Sequence, residues 1–213
     1  MDDSLQIRPE IAKSWQINED GTVYTFELRD DVNFHKSKVF GSKETRTVTA
    51  EDFVYSFNRL KDEKTGSPGG WVLQQVESYK AIDEHTFSIQ LKKSFPAFLG
   101  LLSMRYCAVV PHEVVSHFGS SFRSNPIGTG PFYFKRWDEN VKLVLRKNIH
   151  YFELDKQGQK LPYLEAIAIQ FIPDIQSEFM LFLQGKLDFI NSIDASYKDE
   201  LLTPTGALQP KYK

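Results

Sequence analysis

The sequence predicts an α/β protein: a small α+β lobe over residues 1–122, then a return over residues 123–213 into part of a mixed-sheet lobe. Three observations predict it. Strand-period alternation occurs in DGTVYTFELRDDVNFH and HTFSIQLKK, and an amphipathic helix with a capping signal lies between them in VTAEDFVYSFNRL. Near the C-terminus, a strand in EAIAIQFIPD, a helix in QSEFMLFLQ and a further strand in LDFIN read as a βαβ unit.

Each element has a local cause. Asp20-Gly21 turns the chain into a strand in which Tyr24, Phe26 and Leu28 alternate with Thr25, Glu27 and Arg29. Thr49 can cap the next helix, Glu51 and Asp52 sit where its dipole is positive, and Phe53, Val54, Phe57 and Leu60 share a face. KDEKTGSPGG cannot continue a helix. Phe87, Ile89 and Leu91 then alternate as a second strand, and FPAFLGLLS reads as a short buried helix or turn. In VKLVLRKN, Val141, Leu143 and Leu145 point inward; Ile167, Ile169 and Phe171 share one side of the following strand; Gly185 closes the last apolar helix. A parallel sheet needs cover on both faces, and little sequence after LDFIN could provide it.

Composition narrows the function classes. The 213 residues include 17 Phe and 9 Tyr, the signature of a globular core rather than disorder. A net charge of −2 with interspersed signs leaves no basic stripe, which argues against nucleic acid as a partner. No apolar run is long enough to span a bilayer, and MDDSLQIRPEIAKSW lacks the regions of a secretory signal. The single cysteine, Cys107, lies in the apolar run YCAVVP and reads as a buried thiol.

No motif carries catalysis. SNPIGTGPF resembles a phosphate loop, but Pro131 removes an N–H donor and an aromatic strand, FYFKRW, follows instead of a helix. In His112-Glu113-Val114-Val115-Ser116-His117 the two histidines are five apart, about 140° around a helix, so both rings cannot reach one metal. This is a short surface helix after Pro111. His35, His85 and His150 stand alone among charged neighbours and are expected to be solvated or locally bonded, and no serine has a nucleophile elbow. We expect no enzyme, no metal and no cofactor. Trp71 differs from the periodic aromatics: it follows SPGG in a loop and is a candidate ligand contact.

Several stretches together resemble one family. RPEIAKSWQINEDGTVYTFELRDDVNFH, VTAEDFVYSFNRL, DEHTFSIQLKKSFPAFL, NPIGTGPFYFKRW, LVLRKNIHYF and FIPDIQSEFMLFLQGKLDFI occur in the order expected of family 5 extracellular solute-binding proteins, the peptide- and nickel-binding components of ABC importers. The resemblance implies a class II periplasmic-binding-protein-like fold, incomplete in this chain because members are considerably longer. On that reading, the far lobe and the N-terminal export or lipoprotein segment are absent. It implies a periplasmic or envelope-anchored monomer that captures an oligopeptide or other small solute and delivers it to membrane permease subunits. A sensor or adhesion lipoprotein that kept the fold, and a carrier of a nickel chelate, are the alternatives. Asn125, Pro126, Gly128, Thr129, Gly130 and Pro131 fall at the family's turn from the smaller lobe into the main one, and Met104 and Arg105 near the cleft wall. The segment KSKVFGSKETRT departs from the family's short acidic-glycine turn and, with SPGGW and LPYLEAIAIQFIPD, looks most like members from Bacteroidetes.

Overall fold

The turn ahead of the first predicted strand is built by Asn18, whose Oδ1 accepts the N–H groups of Thr22 and Val23, each at 2.8 Å. Gly21 completes it at φ +66°, a conformation that costs glycine nothing. It joins β1 (Ala12–Ile17) to β2 (Val23–Leu28). With β3 (Val76–Ala81) and β4 (Thr86–Leu91) these form an antiparallel sheet in the order β1-β2-β4-β3. The computed structural model describes residue 4 and residues 6–210.

Register places the apolar halves of the two central strands opposite one another, Tyr24 against Ile89 and Phe26 against Phe87. One sheet face is therefore a continuous apolar surface. It is covered by α1 (Ala50–Lys61) and by α2 (Phe98–Leu102), whose Phe57, Leu60 and Phe98 join Tyr24, Phe26, Leu28, Phe87, Ile89 and Leu91 in one buried cluster. Phe57 meets Phe87 edge to face at 5.5 Å. Phe53 and Val54 are only partly buried.

Helix α1 starts as its sequence dictates: Thr49 and Asp52 form a reciprocal capping box, with Thr49 N–H donating to Asp52 Oδ2 at 2.9 Å. Beyond its last turn, Gly69 lies against the Tyr106 ring so closely that a Cβ would sit 2.4 Å from Tyr106 Cγ. The SPGG segment is thus a packed contact as well as a helix breaker. After a short 3₁₀ turn, Pro111 leads into α3 (His112–Phe118), with His112 and His117 exposed and Val114 and Val115 buried.

A second sheet has the order β5-β6-β7, formed by β5 (Phe132–Asp138), β6 (Lys142–Lys147) and β7 (Ala166–Gln170). Asn140, at φ +58°, turns β5 into β6. The bonds from Phe171 N–H to Val141 O and from Lys147 N–H to Glu165 O run β7 antiparallel to β6. Then follow α4 (Ile175–Leu183), ended by Gly185 at φ +67°, and α5 (Lys198–Leu201).

The chain divides into two compact units, Met1–Lys135 with Leu145–Ile167, and Arg136–Val144 with Ala168–Lys213. The first holds the four-stranded sheet and α1 to α3. The second holds α4 and α5, with Phe179 stacked on Tyr197 at 4.0 Å.

Two expectations for this region need correction. Residues 187–191 form no strand, so the βαβ unit is not completed: no described strand lies beside them to take their backbone hydrogen bonds, and Phe189 is 78% exposed. Val141, expected inward, is exposed because it belongs to the β5–β6 turn, where its N–H bonds back to Asp138 O. Ile169 and Phe171, which share one side of this segment, are exposed.

Candidate functional site

The apolar sheet face is not fully filled by the helices. A cavity of about 570 Å³ remains in the first unit, floored by Phe26, Phe87 and Ile89, walled by Trp15 and Phe53, and bounded by Leu102, Met104 and Arg105 on one side and Gly128, Thr129 and Gly130 on the other. Its lining is chiefly aromatic and aliphatic with a few polar groups, the chemistry of a small-molecule pocket.

The Gly128–Gly130 wall is held from below by His35. His35 N–H donates to Gly128 O at 2.8 Å, its Nε2 donates to Gly130 O at 2.8 Å, and Nδ1 faces the Gly128 N–H at 3.4 Å. Asn148 Nδ2 adds a second donor to Gly130 O at 3.0 Å, and Asn148 N–H donates to Pro131 O. These contacts fix a neutral imidazole with its proton on Nε2. Burial pushes the His35 pKa below its usual value, against the opposing pull of the Gly130 carbonyl.

The sequence left His35 as a solvated or locally bonded ring; it is 8% exposed and bonded across the fold. Gly128 and Gly130 do not serve as strained turn residues. Neither has positive φ, and an added Cβ would meet nothing within 4 Å.

Three lining groups that could act as nucleophiles, those of Ser103, Cys107 and His35, are occupied. Ser103 Oγ donates to Gly100 O at 2.8 Å. The Cys107 thiol lies 3.7 Å from Leu101 O, and burial pushes its pKa up to about 11. Both His35 nitrogens face backbone atoms. The arrangement can hold a ligand by apolar contact and by polar groups on the rim.

Of the residues singled out from sequence, Met104, Arg105, Gly128, Thr129 and Gly130 line this one cavity. Met104 also packs against the core cluster, and the Arg105 guanidinium stands 5.6 Å over the Tyr106 ring. Trp71 does not line it; it sits in a 3₁₀ turn, half exposed. Asn125 is used locally, its Nδ2 donating to Ser121 O, and Pro126 and Pro131 flank the glycine wall.

A second feature escaped sequence reading. Arg46 donates through both terminal nitrogens to Asp52, at 2.7 Å each, and through Nε and one terminal nitrogen to Glu113, at 2.5 and 2.7 Å. It also stands 5.1 Å over the Phe34 ring. Asp52 is 2% exposed, so a buried carboxylate that also caps α1 is balanced by one guanidinium. Glu113, the acid inside the expected surface helix, is held below the usual carboxylate range by its hydrogen bonds to Arg46.

The family profile of bacterial extracellular solute-binding proteins, family 5 middle region, matches residues 6–211. The chain belongs to this family. The family 5 chain is 32% identical over 166 residues to di/tripeptide-binding protein 2 of Pseudomonas aeruginosa, covering 70% of this chain and 31% of the relative. Among solved structures it is similar to the periplasmic binding protein DppA of Helicobacter pylori in complex with the peptide STSA. That match has a TM-score of 0.80 at 26% identity, over 92% of this chain and 40% of the other. NikZ of Campylobacter jejuni, in complex with Ni(L-His), superposes with a TM-score of 0.78 at 28% identity, over 94% and 38% of the two chains. The fold is thus periplasmic-binding-protein-like over the portion compared, and the family 5 chain spans about a third of the length of the curated relatives it matches.

Proposed function

We propose that this chain forms part of the substrate-binding component of an ABC importer, a periplasmic protein that captures an oligopeptide and hands it to a membrane permease without chemical change. The observation that carries the reading is the family match over residues 6–211, joined to a cavity that gathers Met104, Arg105 and the Gly128–Gly130 wall. The likeness to peptide-binding relatives supports a peptide as the solute. In this reading residues 1–122 contribute the smaller lobe and residues 123–213 the return into the main one. Closure over the solute is a population shift driven by its better contacts in the closed form. The protein works as a monomer, without nucleic acid, and a lipid anchor is part of the proposal.

Titration calorimetry on the full-length protein tests it. Saturable heat with di-, tri- or longer peptides supports peptide capture. Silence toward peptides with binding of nickel–histidine moves the assignment to the nickel reading, which the likeness to NikZ favours. Silence toward both overturns peptide and nickel-chelate capture and moves the assignment to another small solute or to the sensor or adhesion reading.

A further inference from the structure

A second cavity in the first unit, about 310 Å³, has a different chemistry. It is lined by Asn33, Phe34, Lys36, Lys43, Thr45, Asn148 and His150, so two lysines of one loop and an imidazole from a distant segment converge on it.

The convergence is built into the backbone. Ser37 N–H donates to Glu44 O at 2.7 Å, closing the base of the 36–44 loop and bringing its two ends, with Lys36 and Lys43, side by side. Inside the loop, Gly41 (φ +74°) and Glu44 (φ +56°) take left-handed conformations that reverse the chain. Thr45 Oγ1 donates to Phe34 O at 2.5 Å, and the next residue, Arg46, is locked to Asp52 and Glu113. On the opposite wall, Asn148 is tied to Gly130 O, and its Oδ1 accepts the His150 N–H at 3.0 Å. Both walls are therefore fixed without the lysines.

Donor accounting then identifies the ligand class. The amides of Asn33 and Asn148 and the Thr45 hydroxyl already donate to backbone carbonyls. Lys36 has a carboxylate only at 3.9 Å, Glu44, and among the described residues Lys43 has none within ion-pair distance. Two lysines, each with three N–H donors, line the cavity with one distant counter-charge between them. We propose that this cavity is a binding site for a small multivalent oxyanion of the phosphate class, recognised by Lys36 and Lys43 with His150 as a third contact. The site is separate from the apolar cavity and does not depend on the solute-capture reading.

Titration calorimetry of the full chain with inorganic phosphate, at constant ionic strength against a chloride reference, tests this. The expected result is saturable one-site binding, weakened at least tenfold in the Lys36→Gln/Lys43→Gln double variant and about threefold in His150→Gln. Unfolding midpoints should be unchanged, since both lysines are exposed. Sedimentation with phosphatidylcholine vesicles containing phosphatidic acid identifies the source of the phosphate group. Retention lost in the double variant assigns a lipid headgroup; phosphate binding without retention assigns the free ion. No saturable binding in either arm, or binding that the double variant keeps, overturns the proposal.

Discussion

His35 donates its Nε2 proton to Gly130 O at 2.8 Å across 95 positions of sequence, and the same ring presents Nδ1 to the Gly128 N–H. One side chain thus holds the wall on which the candidate turn residues Gly128, Thr129 and Gly130 line the apolar cavity. Removing the ring by His35→Ala strands the Gly128 N–H and takes one of two donors from Gly130 O, and is expected to cost about 1–3 kcal/mol in urea unfolding. His35→Gln, which can restore one donor, should cost less.

The burial of the same ring predicts an acid sensitivity. Because burial lowers the folded-state pKa of His35, the unfolded chain binds the extra proton first as pH falls. The stabilisation is therefore fully present above the ordinary histidine pKa near 6.5 and is lost as pH falls from there through the lower folded value. Unfolding midpoints measured between pH 8 and 5 should fall more steeply for the native protein than for His35→Gln. Equal slopes would show that the ring does not titrate in this window.

Arg46 makes a different prediction, because it serves two carboxylates of unequal burial. Arg46→Ala leaves Asp52 buried with only its capping bonds and is expected to destabilise by about 2–4 kcal/mol; Arg46→Lys should recover little, since an ammonium cannot make the paired contacts. Glu113 adds a second pH window. Its pKa is lowered by Arg46, so its share of stability is present above about pH 4.5, the ordinary glutamate value, and is lost as pH falls further. A double-mutant cycle of Arg46→Ala with Glu113→Gln, followed by urea unfolding, should give a coupling energy clearly above zero at pH 7 and a smaller one at pH 3.

Glycines that look alike in sequence should respond in opposite ways. Gly69→Ala drives a methyl into the Tyr106 ring and is expected to cost about 1–3 kcal/mol, much of it recovered when Tyr106 is also changed to Ala. Gly128→Ala and Gly130→Ala meet open space at ordinary φ and should be neutral or slightly stabilising. Thermal unfolding of the four variants checks this, and a large loss for Gly130→Ala would mean the wall needs a conformation only glycine adopts.

Elements that depend on neighbours in sequence were legible before the structure. The β2 and β4 alternation, the Thr49 start of α1, the Gly185 stop of α4 and the burial of Cys107 all follow from local spacing. The ties holding the sites were not. His35 pairs with a loop 95 residues away and Arg46 with Glu113 67 residues away, and no periodicity encodes either partner. The strand expected at 187–191 fails for a related reason: an apolar run specifies a strand only where another strand offers its backbone. Met104 and Arg105 were singled out by the family's order of segments alone, which places them near the cleft wall; the structure shows them lining the apolar cavity.

Cys107 offers a direct reading of that cavity, because it lines the space beside Met104 and its pKa is pushed up to about 11 by burial. Only the thiolate reacts, so at pH 8 a thiol-specific reagent should label the folded chain about 100-fold more slowly than the unfolded one. The rate should keep rising with pH well beyond the range in which a free cysteine levels off. If the cavity is the solute-binding wall, a peptide that binds the full-length protein must slow labelling further, and Met104→Trp, which fills the space, must slow labelling and weaken peptide binding together. Labelling that is fast, or indifferent to a bound peptide, would place the solute elsewhere.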